Sequence, residues 1–317
     1  MAKLLQNLQI GHCHNTQTKT GVTVFLFNKP ATTIGLIQGS APATANFSSL
    51  DPIHGINLAH AVVFTGGSLL GLNCTSGVIQ YLQEKKIGLN INDNIIPLVP
   101  AAAIFDLTYG ENNYPNHDMA YQACLNATDD NLLSGQIGAG CGASVGKFLG
   151  IEHCQPGGFG WAKSQIANSN VEIWSFAVVN AMGDVIDSTS NKIIKGCQIN
   201  GNHSDIRKKI EHNEHLIKFG TQDIIDDSKL SAIANQRVQN TTLILTITNA
   251  HLNSQQATLL AQAGHYGLAS CIYPSHTIYD GDLVIMSSIG NLNADITALG
   301  YYARKTAKEA IIKAVSV

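Results

Sequence analysis

The chain has 317 residues, 13% of them charged and 44% hydrophobic, a balance that supports a sizeable packed core and excludes a disordered chain. A formal net charge of −3 and a pI near 6.4 leave no electrostatic footprint for nucleic acid or an anionic membrane. No run reaches the roughly 18 apolar residues of a membrane span, no apolar segment follows residues 1–7 as in a secretory signal, and the seven cysteines are scattered without a Cys-x-x-Cys pair. These features predict a cytoplasmic protein with reduced thiols, and the low charged fraction fits a surface partly covered by partner subunits.

Residues 23–27 (TVFLF) are β-branched and aromatic and read as a strand after the turn at Gly21. Residues 61–65 form a second apolar run, ending at Gly66-Gly67-Ser68. Leu72, Val78, Ile79 and Leu82 then recur at helical spacing as far as Lys86, so a strand, a tight turn and a helix are expected. Residues 95–105 are apolar but contain Pro97 and Pro100, which predicts an edge or irregular segment rather than a central strand. Residues 135–150 carry six glycines in sixteen positions, and Gly157, Gly158 and Gly160 add three more. Residues 173–180 and 243–248 are further strands. Between them, 190–236 is the most polar stretch of the chain and reads as an exposed helical insertion or loop. Residues 257–268 form an Ala/Leu-rich helix, and 296–315 a C-terminal helix interrupted at Gly300. Strands and helices are mixed throughout, without repeats or low-complexity tracts.

The junction Val238-Gln239-Asn240-Thr241-Thr242-Leu243 leads from the polar stretch into a strong strand. A threonine hydroxyl is a weak nucleophile, but as the first residue of a chain it has its own α-amine for a general base. That amine has a pKa of roughly 7.7–8.0, close to working pH. A mid-chain Thr reaches this status only if the preceding peptide bond breaks by an N→O acyl shift. Taken locally, Asn240-Thr241 is also an ordinary loop entering a strand, since Thr has high β-propensity.

Other motifs have plainer readings. Gly66-Gly67-Ser68 lacks the Gly-x-Ser-x-Gly spacing of a nucleophile elbow and the Gly-Lys-Ser/Thr ending of a phosphate loop, and reads as a tight turn. The glycines at 138–146 follow no strong strand and precede no suitable acid, so they read as a turn rather than a dinucleotide loop. His12-Cys13-His14 has no second ligand cluster to complete a metal site, and residues 211–215 (EHNEH) read as a solvated helix face, so no metal is expected. Asp280-Gly281-Asp282 alone is a turn before a strand.

In order along the chain, residues 20–24 (TGVTV), 64–72 (FTGGSLLGL), 76–78 (SGV), 99–107 (VPAAAIFDL), 138–147 (GAGCGASVGK), 178–184 (VVNAMGD), 240–243 (NTTL) and 276–282 (HTIYDGD) form a series that resembles the DmpA-type aminopeptidase family. That family includes L-aminopeptidase/D-esterases, β-peptidyl aminopeptidases and the nylon-oligomer hydrolase. The resemblance runs nearly end to end. It implies an α+β fold, a four-layer αββα sandwich of the N-terminal-nucleophile-hydrolase kind, and a single catalytic domain over 1–317. It implies cleavage between Asn240 and Thr241 into chains 1–240 and 241–317, with a small peptide or amide as substrate, no cofactor, and a homo-oligomer, a tetramer of processed protomers. By position, Thr241 matches the nucleophile, Asn180 an oxyanion-holding amide, and Asp280 and Asp282 a polar pair that orients the α-ammonium. Tyr109 or Tyr114 matches a pocket tyrosine.

The match departs from the family pattern at three places. Pro156 stands where a lysine usually precedes the Gly157-Gly158 pair, and Lys163 is the lysine expected to reach the same place. Ala41-Pro42 leads into Ala43-Thr44-Ala45-Asn46 instead of Gly-Thr-Arg-Glu-Thr, and Ser270 or Cys271 replaces an arginine. These departures bear on substrate recognition, and they leave a non-processed, non-enzymatic binding member as one rival reading. The other rival, an ornithine-acetyltransferase-like acyltransferase, lacks its Lys-Gly-x-Gly-Met stretch here.

Overall fold

Alternation of side chains along extended strands decides the layers of this molecule. The computed structural model describes residues 3–212 and 240–317. Nine strands join one hydrogen-bonded network: β1 (Leu8–Asn15), β2 (Thr20–Ile37), β3 (Ala43–Ala45), β4 (Leu58–Thr65), β5 (Ala101–Ala103), β6 (Gly158–Gln165), β7 (Glu172–Asn180), β8 (Thr241–Ala250) and β9 (Leu283–Leu292). Their order is β6-β7-β8-β9-β2-β4-β5-β3, with β1 also paired to β2. The pairs β8–β9 and β4–β5 are parallel, and the other neighbours are antiparallel.

Strand β2 serves two layers. Its first half pairs with β1 and β4 and its second half, residues 32–37, with β9; the register with β4 shifts between Leu26 and Ala31, where Asn28, Lys29 and Pro30 are exposed. The network therefore doubles over, and one core forms between its two halves. Phe25, Phe27, Val62 and Phe64 enter that core from one side, and Trp174, Phe176, Val178, Leu243, Leu245, Leu283 and Ile285 from the other. The alternate residues of the same strands face outward onto helices. Val22, Val24, Ala61 and Val63 pack against α1 (Thr75–Glu84) and α2 (His117–Leu125). Ile173, Ala177, Val179, Ile244, Val284 and Met286 pack against α3 (Ser254–Ala269) and α4 (Ile296–Val315). Helix, sheet, sheet, helix is the expected αββα sandwich, and each large side chain withdrawn from water contributes roughly 1.5–3 kcal/mol.

Two local expectations are corrected. Ala101–Ala103 is not an edge: it lies between β4 and β3, with all three small side chains buried and Pro97 and Pro100 outside the paired residues. Helix α4 runs through Gly300 unbroken, because Asp295 caps its start and Leu260 of α3 packs beside the glycine. The described part of the polar stretch, to residue 212, is mostly exposed and is tied to the rest by short strands and a buried carboxylate. Lys192–Lys195 pairs with Asp184–Asp187, and the buried Asp184 carboxylate accepts from the Cys197 and Ile206 amides at 2.7 and 3.1 Å. Residues 213–236 of that stretch lie outside the described residues.

Candidate active site

Strands β7 and β8 pair so that Asn180, the last residue of β7, faces Thr241, the first of β8. Asn180 continues the face of Trp174, Phe176 and Val178, and Thr241 that of Leu243 and Leu245. Period-2 alternation thus places both side chains at the end of the core between the sheets. Thr241 is 3% exposed and Asn180 is fully buried.

The peptide before Thr241 is held on both sides. The Asn240 amide donates to Tyr279 O at 3.1 Å, and the Gly281 amide donates to Asn240 O at 2.7 Å. The Thr241 hydroxyl lies 2.5 Å from the same Asn240 oxygen. Gly281 is required by space rather than by backbone angle: a Cβ there would sit 2.7 Å from Ala41 O and 2.9 Å from Thr241 Oγ1.

Asp280 and Asp282 flank that glycine, and both are 1% exposed. Asp282 accepts from the Thr242 amide at 2.7 Å and the His276 amide at 2.8 Å, while Asp280 accepts from the Thr277 amide and hydroxyl at 3.2 and 2.5 Å. Burial, and then the neighbouring Asp280, pushes Asp282 up to about 7. Burial also raises Asp280, against the Thr277 hydrogen bonds and the charge of Lys147. Both carboxyls are thus easier to protonate than a free aspartate, and each raises the cost of ionising the other.

Asn180 is locked by its neighbours. Its Oδ1 accepts from the Ser144 amide at 3.0 Å and from Lys147 Nζ at 2.7 Å, and its Nδ2 donates to Phe105 O at 3.1 Å. Lys147 Nζ also donates to the Asn180 backbone oxygen at 2.9 Å. Complete burial pushes the Lys147 ammonium down to about 7, with Cys154, Asp280 and Asp106 pulling it back up.

Thr241, Asn240, Asn180, Asp280 and Asp282 are therefore brought together. Lys163 is not. The register sets it opposite Trp174, six residues before Asn180 and so about 20 Å along the sheet, with its ammonium 5.0 Å from the Trp174 ring centre. The lysine at the site is Lys147, from the glycine-rich segment 138–147, a residue whose role its sequence context does not mark. A hairpin brings it there: Ser144 pairs with Pro156 and Val145 with Gln155, and Lys147 follows in the loop two residues beyond Val145. Tyr109 is half-buried, its amide donating to Asp106 O at 3.0 Å and its hydroxyl raised by burial and by Cys154, which also senses Lys147. Tyr114 is 42% exposed and packs over Gly67. Gly66-Gly67-Ser68 is a turn, with φ of 77° at Gly67 and 53° at Ser68, pinned by the Gly67 amide on Asp106 Oδ1 at 2.7 Å. His12 is a core residue bonded to the Thr23 hydroxyl at 2.9 Å and stacked edge-on against Phe159.

The sequence model of Peptidase family S58 matches residues 5–317. An uncharacterized aminopeptidase of Mycobacterium leprae (strain TN) is 30% identical over 312 residues, covering 93% of this chain and 80% of the relative. The 6-aminohexanoate-oligomer endohydrolase of Paenarthrobacter ureafaciens is 25% identical over 321 residues, covering 97% and 83%. Among solved structures, the L-aminopeptidase D-Ala-esterase/amidase of Ochrobactrum anthropi, described as a variant of the Ntn hydrolase fold, superposes with a TM-score of 0.70 at 13% identity, covering 98% of this chain and 84% of that one. A Burkholderia sp. beta-aminopeptidase superposes at 0.66 with 14% identity, covering 99% and 87%. The fold is the N-terminal-nucleophile-hydrolase variant of those structures. The chain belongs to Peptidase family S58 and is a hydrolase of peptide or amide bonds.

Proposed function

We propose that the chain cuts itself before Thr241 and then hydrolyses small peptides or amides with the freed Thr241 as nucleophile. One observation carries the reading: the Thr241 hydroxyl and the Gly281 amide converge on the carbonyl oxygen of the peptide to be cut. In the first step Thr241 Oγ attacks the Asn240 carbonyl carbon while its proton passes to the departing Thr241 nitrogen. The C–N bond breaks and an ester joins Asn240 to Thr241 Oγ. The Gly281 amide stabilises the oxyanion that forms between these states. Water then hydrolyses the ester, giving a carboxylate at Asn240 and a free α-amine on Thr241.

In turnover that amine takes the hydroxyl proton as Oγ attacks the substrate carbonyl, and hands it to the leaving amine. The Asn180 side-chain amide, its orientation set by Lys147 and Ser144, offers the second Nδ2 hydrogen to the oxyanion. Asp280 and Asp282 orient the α-amine. Water releases the acyl group. Chains 1–240 and 241–317 remain one catalytic domain; the low charged fraction supports a homo-oligomer of processed protomers, and the seven scattered cysteines support a cytoplasmic setting.

A panel of aminoacyl, β-aminoacyl and ω-aminoacyl anilides tests the proposal. Hydrolysis in water, with no added amine acceptor, is expected for at least one class, rising with pH through the α-amine pKa of roughly 8. Acyl transfer only when an amine acceptor is added would contradict it and favour a transferase. Gly281→Ala is a second check. Its Cβ enters the space of Thr241 Oγ1 and Ala41 O, so self-cleavage slows by about 10²-fold or more as the attack geometry is lost. A time course on denaturing gels reads this; cleavage at the wild-type rate would remove the role given to this loop.

A further inference from the structure

His265 is a fully buried residue of α3 that the reaction does not touch, yet its ring is tied to the loop that carries both aspartates. Its Nε2 lies 3.1 Å from the carbonyl oxygen of Leu36 in β2, and its Nδ1 lies 3.0 Å from His276 Nε2. A carbonyl oxygen can only accept, so His265 carries its proton on Nε2 and its bare Nδ1 accepts from His276 Nε2–H. The two rings meet edge to face at 61° with centres 5.0 Å apart. His276 in turn has φ of 55°, a left-handed conformation that residues with a Cβ rarely adopt. In that conformation its amide points at Asp282 Oδ2, 2.8 Å away.

We infer that His265 and His276 are a positioning pair: a one-way chain of hydrogen bonds from Leu36 O through both rings holds His276 in the backbone conformation that aims its amide at Asp282. The inference rests on the reading of Asp282 as part of the hydrolytic site. Burial keeps both rings neutral, His265 down to about 4, and neutrality is what a chain with one donor and one acceptor per ring requires. Among the described residues the charged group acting on Asp282 is Asp280, which is itself held by Lys147 and by the Thr277 hydrogen bonds. Without the His276 amide, the Asp282 carboxylate loses one of its two backbone donors and binds its proton more tightly.

Three variants test the pair. His265→Leu fills similar space with neither hydrogen bond. His265→Gln supplies an N–H for Leu36 and an oxygen for His276. His276→Asn accepts the left-handed backbone but is too short to reach His265, so it checks the result from the loop side. The primary readout is the carboxyl ¹³C titration of Asp282 in a Thr241→Ala background, which needs neither self-cleavage nor turnover. The midpoint is expected to rise by about one pH unit in His265→Leu and His276→Asn and to return to its starting value in His265→Gln. An unmoved midpoint in all three, or an equal shift in His265→Leu and His265→Gln, would overturn the inference. With Thr241 present, kcat for amide hydrolysis is expected to fall about tenfold in His265→Leu with KM little changed, and to recover in His265→Gln. A wild-type chain that hydrolyses no amide, together with the expected Asp282 shifts, would sink the functional reading and leave the positioning pair standing.

Discussion

Thr241→Ala is expected to leave one uncut chain that hydrolyses no amide, a loss of about 10³-fold or more, because nucleophile and base are the same residue. The fold should survive. The hydroxyl removed is small, and the Asn240 oxygen it approaches keeps the Gly281 amide at 2.7 Å, so the stability cost is about 1 kcal/mol. Thr241→Ser keeps both the hydroxyl and the prospective α-amine and should therefore still cut. The losses in the alanine variant must appear together in intact mass and in rate. An alanine variant that is still cut between 240 and 241 would show that another group drives the break.

Lys147→Met should cost about 10²–10³-fold in hydrolysis while leaving a folded protein. Methionine fills the same channel, but Asn180 Oδ1 keeps only the Ser144 amide, and the Asn180 backbone oxygen loses the Nζ donor recorded there. Its stability effect depends on pH, and the sign follows from the shifts. Lys147 falls from 10.5 to about 7 in the fold, so between those values the unfolded chain holds the extra proton. The contribution of this group is thus fully present above 10.5 and is lost as pH falls through 7. Asp282 moves the other way, from 3.8 to about 7, so its contribution is present below 3.8 and is lost as pH rises through 7. The two together give a stability minimum near neutral pH. In Lys147→Met the alkaline recovery disappears and only the acidic side remains. Urea midpoints at mildly acidic, neutral and alkaline pH read the difference. An alkaline rise as steep in the variant as in the wild type would mean that Lys147 is not the group responsible. The lost ammonium also removes one of the influences that lower Asp280, so that carboxyl is expected to titrate higher in the variant.

Much of this was open to a reader of the sequence because it is local. The strands around 173–180 and 243–248 are visible as β-branched and aromatic runs, and the turn at Gly66-Gly67-Ser68 as a pair of glycines after an apolar strand. The site at Thr241 was reached through an ordered series of motifs, not through the junction itself, whose local chemistry is that of any loop entering a strand. What stayed hidden depends on pairing between distant segments. Lys163 is close to Gly158 along the chain, but the extended strand carries it away from Asn180, whereas the hairpin at 144–156 returns Lys147 to it. The prolines around 101–103 argue for an edge because Pro cannot donate to a ladder, yet they fall just outside the paired residues. The Gly281 amide and the His265 ring carry no sequence signal, since a glycine in a turn and a histidine in a helix are commonplace until their neighbours are known.

The most direct test of Thr241 as a self-generated nucleophile is the intact mass of the purified wild-type protein under denaturing conditions, combined with sequencing of its new N-terminus. Two chains whose masses match 1–240 and 241–317, the second beginning Thr-Thr-Leu-Ile, are the result expected from the geometry at Asn240, Thr241 and Gly281. A single chain of 33.8 kDa that persists through long incubation at neutral pH would contradict it.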